Sequence, residues 1–178
     1  MRQHLCFYNI LEVIPALKEE IATYGDLVEY GRANSQDIGK ACREIIGLSF
    51  QLFDWYDRDE MLKENGLSKE FCEADFADRM NLTPVNPGTA IKYDISGVLR
   101  PYLNEHGYLS YTYSERIYYQ ISPIIYLLRS YPNTRQAFMS VWDPNEDIDA
   151  LEIDRVPCSI GYHFLIRNDK LIMIYIMR

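Results

Sequence analysis

The chain has no pair of cysteines that could build a metal knuckle or a stapled framework. Its four cysteines, Cys6, Cys42, Cys72 and Cys158, lie far apart, and none belongs to a CxxC or a Cys/His cluster. That excludes a disulfide scaffold and a zinc site of ordinary spacing. No metal is expected, and reduced thiols point to a cytoplasmic protein. Positive charge is also scarce: 18 Lys and Arg against 26 Asp and Glu give a formal net charge of −8. With no basic stripe to release counterions, polymeric nucleic acid is not an expected partner, and any phosphate bound is small and held locally. Long apolar runs are missing too. The stretch from Leu5 to Leu17 is interrupted by Asn9, Glu12 and Pro15, which is too polar for a membrane span or a signal-peptide core.

What remains is enough for one globular domain spanning residues 1–178. A chain of this length with 48% hydrophobic residues buries roughly 70% of its unfolded surface. Pro15 to Ala22 (PALKEEIA) starts with a residue suited to a first helical turn, spaces Leu17 and Ile21 at i, i+4, and stops near Gly25, predicting a surface helix. Arg43 to Phe53 (REIIGLSFQLF) reads as a strand, with a bulge or a close backbone approach at Gly47. The charged segment Trp55 to Met80 predicts short helices around Gly66, and LTPVNPGT after it is a loop. From Glu115 to Tyr131, Ile117, Ile121, Ile124, Ile125 and Leu128 form one face of a buried helix that Pro123 should kink. Gln136 to Trp142 reads as a strand. Asn168 and Asp169 form a two-residue hairpin turn, and Leu171 to Met177 (LIMIYIM) predicts a central strand covered on both faces.

The hairpin carries a geometric consequence. If Arg167 pairs with Lys170, strict antiparallel register pairs Ser159 with Arg178, so Arg178 lies at the same sheet end as Cys158 but on the opposite face, and contact requires a bulge or the strand end. A cation near a thiol raises its thiolate fraction and makes it reactive. The ordinary state of a cysteine beside a strand is a buried, inert thiol. His106 and His163 match no site pattern, the acidic run Asp143 to Asp154 reads as a solvated loop, and Tyr111, Tyr113, Tyr118 and Tyr119 read as core and interface packing.

The segment YPNTRQAFMSVWDPNEDIDALEIDRVPCSIGYHFLIRNDKLIMIYIMR, Tyr131 to Arg178, resembles the thymidylate synthase family, which includes the deoxypyrimidine nucleotide hydroxymethylases. The resemblance is ordered: a Pro-x-[Ser/Thr]-Arg turn at Pro132–Arg135, Trp-x-Pro at Trp142–Pro144, Pro-Cys at Pro157–Cys158, and Arg178 twenty residues beyond that cysteine. Upstream, YTYSERI (Tyr111 to Ile117) resembles the family's Tyr-Gly…Arg segment, and GRANSQDIGKACREIIGLSF its arginine-bearing phosphate loop and following strand.

The resemblance implies an α+β fold with a mixed twisted sheet packed against helices. It implies that Cys158 is the nucleophile that adds to carbon 6 of a pyrimidine, activating carbon 5 toward the methylene of 5,10-methylenetetrahydrofolate. Arg178 then contacts the nucleotide phosphate, Arg135 reaches the same phosphate across a homodimer interface, Arg32 is a phosphate-loop arginine, and Tyr113 or Tyr111 is the active-site tyrosine. Three departures matter: Ser159 stands where many thymidylate synthases have histidine, Gln136 replaces the second arginine of an Arg-Arg pair, and Met177 stands in place of glutamine. Together they resemble the hydroxymethylase-like branch. The family also continues beyond the position of Arg178 into groups that read the base, so a fold incomplete at its C-terminus is expected. The expected function is one-carbon transfer to carbon 5 of dUMP or dCMP. The alternative is a catalytically silent homologue or fragment serving as a binding or assembly module.

Overall fold

A computed structural model of the chain describes residues 4–29, 41–54, 56–95, 97–148 and 155–178. Helices and sheets both occur, giving an α+β protein whose chain divides into two compact units, Met1–Lys69 and Glu70–Arg178. Among the described residues no helix is long and apolar enough to cross a membrane.

In the first unit, β1 (His4–Phe7) pairs in parallel with β4 (Ser49–Leu52), and β2 (Asp26–Glu29) pairs antiparallel with β3 (Ala41–Glu44). Helix α1 (Val13–Tyr24) ends as its sequence predicts. Gly25 donates its N–H to the carbonyl of Ile21 at 2.9 Å, and Arg43 donates Nη1 to the Gly25 carbonyl at 2.8 Å. Leu5, Phe7 and Val13 form a small core with Leu17, Leu48 and Leu52. Arg43 to Phe53 is not one bulged strand. Gly47 adopts φ +76° in a turn, and the strands on either side of it, β3 and β4, join different sheets. Such a positive φ is easy for glycine and ends extended pairing instead of indenting it. Helix α2 (Arg58–Glu64) follows, and Gly66 at φ +63° separates it from α3 (Lys69–Arg79).

The second unit holds a sheet of β5 (Phe138–Ser140), β6 (Ser159–Arg167) and β7 (Lys170–Met177), in that order and antiparallel throughout. Helix α4 (Tyr113–Ser130) packs on it and runs through Pro123 without interruption. Its start is fixed by a capping box: Glu115 donates its backbone N–H to Thr112 Oγ1, and the Glu115 carboxylate accepts from the Thr112 N–H, satisfying two donors that a helix start leaves free. Ile117 and Ile121 are buried with Met139 and Val141, and Ile124, Tyr162 and Phe164 complete the cluster. Ile125, placed on the same face by periodicity, is exposed. Gln120 ties α4 to the outer edge of β5, donating to the Ser140 carbonyl at 2.7 Å and accepting from the Ser140 N–H at 2.9 Å. Its amide thus serves β5 as an adjacent strand would. A short helix α5 (Pro144–Asp147) follows β5.

Strand β7 departs most from expectation. It is an edge strand, and every residue from Lys170 to Met177 is exposed. Apolar side chains on both faces record the surroundings a strand is suited to, but nothing among the described residues supplies that cover.

Candidate active site

Cys158 lies at the N-terminal end of β6. Its neighbours Pro157 and Ser159 are buried, whereas Cys158 is exposed, the alternation that extended backbone imposes. Pro157 has no N–H to offer a ladder, so its place just before the strand leaves no donor missing. The thiol is accessible, in contrast to the buried state of an ordinary strand cysteine.

The β6–β7 ladder begins with Arg167 opposite Lys170, as the turn predicts, and Asn168 and Asp169 both take the left-handed conformation that this turn requires. Strict register would place Arg178 opposite Ser159. The structure places Met177 there instead, because the register shifts between Ser159 and Gly161 and leaves Ile160 unpaired with β7. The Ile160 carbonyl turns to the other neighbour and accepts from the N–H groups of Val141 and Trp142 at 3.0 and 3.1 Å. The bulge brings Cys158 opposite Arg178, whose N–H donates to the Cys158 carbonyl at 2.9 Å. Opposed residues in an antiparallel pair share a face, so the two side chains that strict register would separate emerge together.

Tyr111 and Tyr113 sit at the start of α4 in different surroundings. Tyr111 is buried, and its phenol interacts electrostatically with Cys158. Burial pushes that phenol well above the ordinary tyrosine range, with the Arg155 guanidinium pulling the other way. Arg155 lies 4.5 Å from the Tyr111 ring centroid and Arg116 5.1 Å from it. The Tyr113 ring meets that of Tyr111 edge-on at 6.2 Å and carries the Arg79 guanidinium at 4.0 Å. Arg79 in turn donates to Asp75 at 2.7 Å and to the Tyr162 hydroxyl at 3.4 Å. Burial alone would lower the Arg79 pKa, but these two partners raise it. Arg79, Tyr113 and Arg155 line a narrow cleft whose apolar wall includes Val85, Leu99 and Leu109.

Arg116 corrects the reading of the acidic run. Its guanidinium pairs with Glu146 at 2.8 Å, with Asp147 at 3.1 Å and with Asp143 at 3.7 Å, and Asp147 is buried. The first part of Asp143–Asp154 is therefore a clamp on α4, and the rest, from residue 149, lies outside the described residues. Sequence reasoning missed Arg79, Arg116 and Arg155. Only Arg116 had a visible signal, its place in the Tyr111–Ile117 segment.

Arg135 does not approach its own Cys158. It is exposed, and its carbonyl bonds His163 Nε2 at 3.0 Å, five residues along β6 from the thiol, or roughly 16 Å of strand. Arg32 lies outside the described residues. His106 is exposed beside Glu105, and among the described residues no group of three His, Cys, Asp or Glu side chains is arranged to hold a metal ion. No protein-family model and no curated protein sequence matches the chain.

Proposed function

We propose that this protein transfers a one-carbon unit to carbon 5 of a pyrimidine deoxynucleotide monophosphate, dUMP or dCMP. The observation that carries the proposal is the bulge at Ile160, which sets Cys158 opposite Arg178 at one end of the sheet. Cys158 as thiolate forms a bond to carbon 6 and moves the ring's double-bond electrons onto carbon 5, which then acts as nucleophile. Once carbon 5 has bonded the methylene, loss of the carbon-5 proton breaks the methylene–nitrogen bond to the folate and leaves an exocyclic methylene on the ring; hydride or water adds to that methylene, and the electrons returned to carbon 5 expel the Cys158 thiolate and restore the 5,6 double bond. Arg178 holds the phosphate, with Arg135 of a second copy reaching the same group, in a cytoplasmic homodimer.

The one-carbon donor is 5,10-methylenetetrahydrofolate, which supplies a methylene group and, where a methyl group is the product, a hydride. Met177 and Gln136 favour water as the final addition, which leaves tetrahydrofolate and a hydroxymethyl product.

The test uses 5-fluoro-dUMP with the folate, read by intact mass. A covalent adduct is expected in the wild type and in the Cys6, Cys42 and Cys72 serine variants, and an adduct that survives Cys158→Ser overturns the assignment. With dUMP or dCMP, dihydrofolate absorbance rising in step with product would mean methylation and would reject the hydroxymethylase branch. A second reading, an assembly module without turnover, draws on the exposure of β7. It predicts nucleotide binding without any adduct.

A further inference from the structure

Three arginines surround the tyrosines beside the thiol, and two of them are neutralised within the protein. Arg79 is paired with Asp75, and Arg116 with Asp143, Glu146 and Asp147. Arg155 has no carboxylate partner among the described residues. It is nonetheless held in place, since Nη1 donates to the Tyr111 carbonyl at 3.0 Å and the guanidinium lies over the Tyr111 ring at 4.5 Å. A guanidinium carries five N–H donors in a rigid fork, so most of its capacity is left for the cleft it lines.

The carboxylates of that cleft are engaged elsewhere. Asp75 bonds Arg79, and the two oxygens of Asp78 accept from Thr89 Oγ1 at 2.7 Å and the Ala90 N–H at 2.8 Å. A partly buried charge is stable when a counter-charge meets it, and no carboxylate of the described residues meets this one. We propose that Arg155 binds an oxyanion of the molecule that meets Cys158, three residues away along the chain. The identity of that molecule rests on the function proposed above: the oxyanion is the nucleotide's phosphate or a carboxylate of the folate.

Alkylation of Cys158 by iodoacetamide, mapped by peptide mass, reads occupancy without requiring turnover. The ligands are dUMP, deoxyuridine, tetrahydrofolate and inorganic phosphate. Arg155→Gln keeps a donor for the Tyr111 carbonyl while removing the charge, Arg155→Lys restores the charge, and circular dichroism verifies folding. The protecting concentration of the oxyanion-bearing ligand should rise about tenfold or more in Arg155→Gln, with partial recovery in Arg155→Lys and no change for deoxyuridine. A shift in the dUMP arm assigns the phosphate; a shift in the tetrahydrofolate arm assigns the carboxylate. If inorganic phosphate protects the wild type better than Arg155→Gln while no nucleotide or folate protects, Arg155 is upheld and the functional reading falls. If every ligand acts alike on wild type and Arg155→Gln, or none protects either protein, the inference is overturned and Arg155 is only a brace for Tyr111.

Discussion

The hydroxyls of Ser159 and Tyr175 lie 2.5 Å apart across the β6–β7 ladder, and Ser159 is 1% exposed. Burial pushes the Tyr175 phenol up while the Ser159 bond pulls it down, and Tyr175 stacks on Tyr162 at 5.1 Å with the rings 8° from parallel. The residue next to the thiol is thus pinned by a bond that water cannot replace. Removing the Tyr175 hydroxyl leaves the buried Ser159 hydroxyl without a partner, at a cost of about 1–3 kcal/mol, whereas Tyr175 is 41% exposed and can turn to water when Ser159 is truncated. Urea denaturation should show Tyr175→Phe destabilised within that range, Ser159→Ala by less, and the double variant by clearly less than their sum. Simple additivity would mean that the hydroxyls act independently.

Two single-residue deletions should separate the bulge from the pairing it creates. Deleting Met177 draws the arginine back opposite Ser159 and onto the other face. Deleting Ile160 converts the ladder to a regular one with Cys158 and Arg178 still opposed. Adduct formation with 5-fluoro-dUMP should therefore be lost in the first and retained in the second, each scored against circular dichroism. Equal loss in both would mean that the opposition of the two residues is not what matters.

Asp94 gives the second unit an acid-sensitive joint. Its carboxylate is buried and accepts from the N–H groups of Val98, Leu99 and Arg100 at 2.8, 2.8 and 2.9 Å. Burial alone would raise its pKa, but these donors and the Arg100 charge outweigh it and hold the pKa below the ordinary 3.8. A carboxyl depressed in the folded state adds stability that is present above its unfolded pKa and lost as pH falls through the folded one. Stability should drop below about pH 4 in the wild type. Asp94→Asn should be less stable at neutral pH and flatter across that window. Parallel pH curves for the two proteins would assign the acid sensitivity to other groups.

The exposed face of β7 predicts concentration-dependent self-association. Light scattering should show the average mass rising with concentration, and Ile174→Lys, which places a charge in the middle of the strand, should suppress the rise. A monomer at all concentrations would remove β7 as an assembly surface.

Local signals in the sequence were reliable where one short stretch decides the backbone. Asn168–Asp169, Gly25 and the Ile117–Ile121 spacing each produced the expected turn, stop and buried stripe. Signals failed where a distant partner decides. The acidic run looked solvated because nothing local reveals that Arg116, more than two helical turns before the end of α4, folds against Asp147. Arg155 carried no mark at all, since its standing depends on which other arginines are neutralised. Of the candidate site, the positions of Cys158 and Arg178 at one sheet end were legible. Their shared face was not, because the backbone had to choose where to place one extra residue.

That choice can be restated as a matter of parity. In a hairpin closed by a two-residue turn, residues facing each other in a regular ladder are always separated by an odd interval, as Arg167 and Lys170 are by three. Cys158 and Arg178 are separated by twenty, an even interval that no regular ladder of this kind can bring face to face. One unpaired residue corrects the count, and Ile160 is that residue. Two residues that face each other across such a turn at an even interval thus mark a bulge between them and the turn. Apart from removal of Ile160 itself, a single insertion or deletion within the hairpin takes thiol and arginine out of opposition unless a second change, on either strand, restores the count.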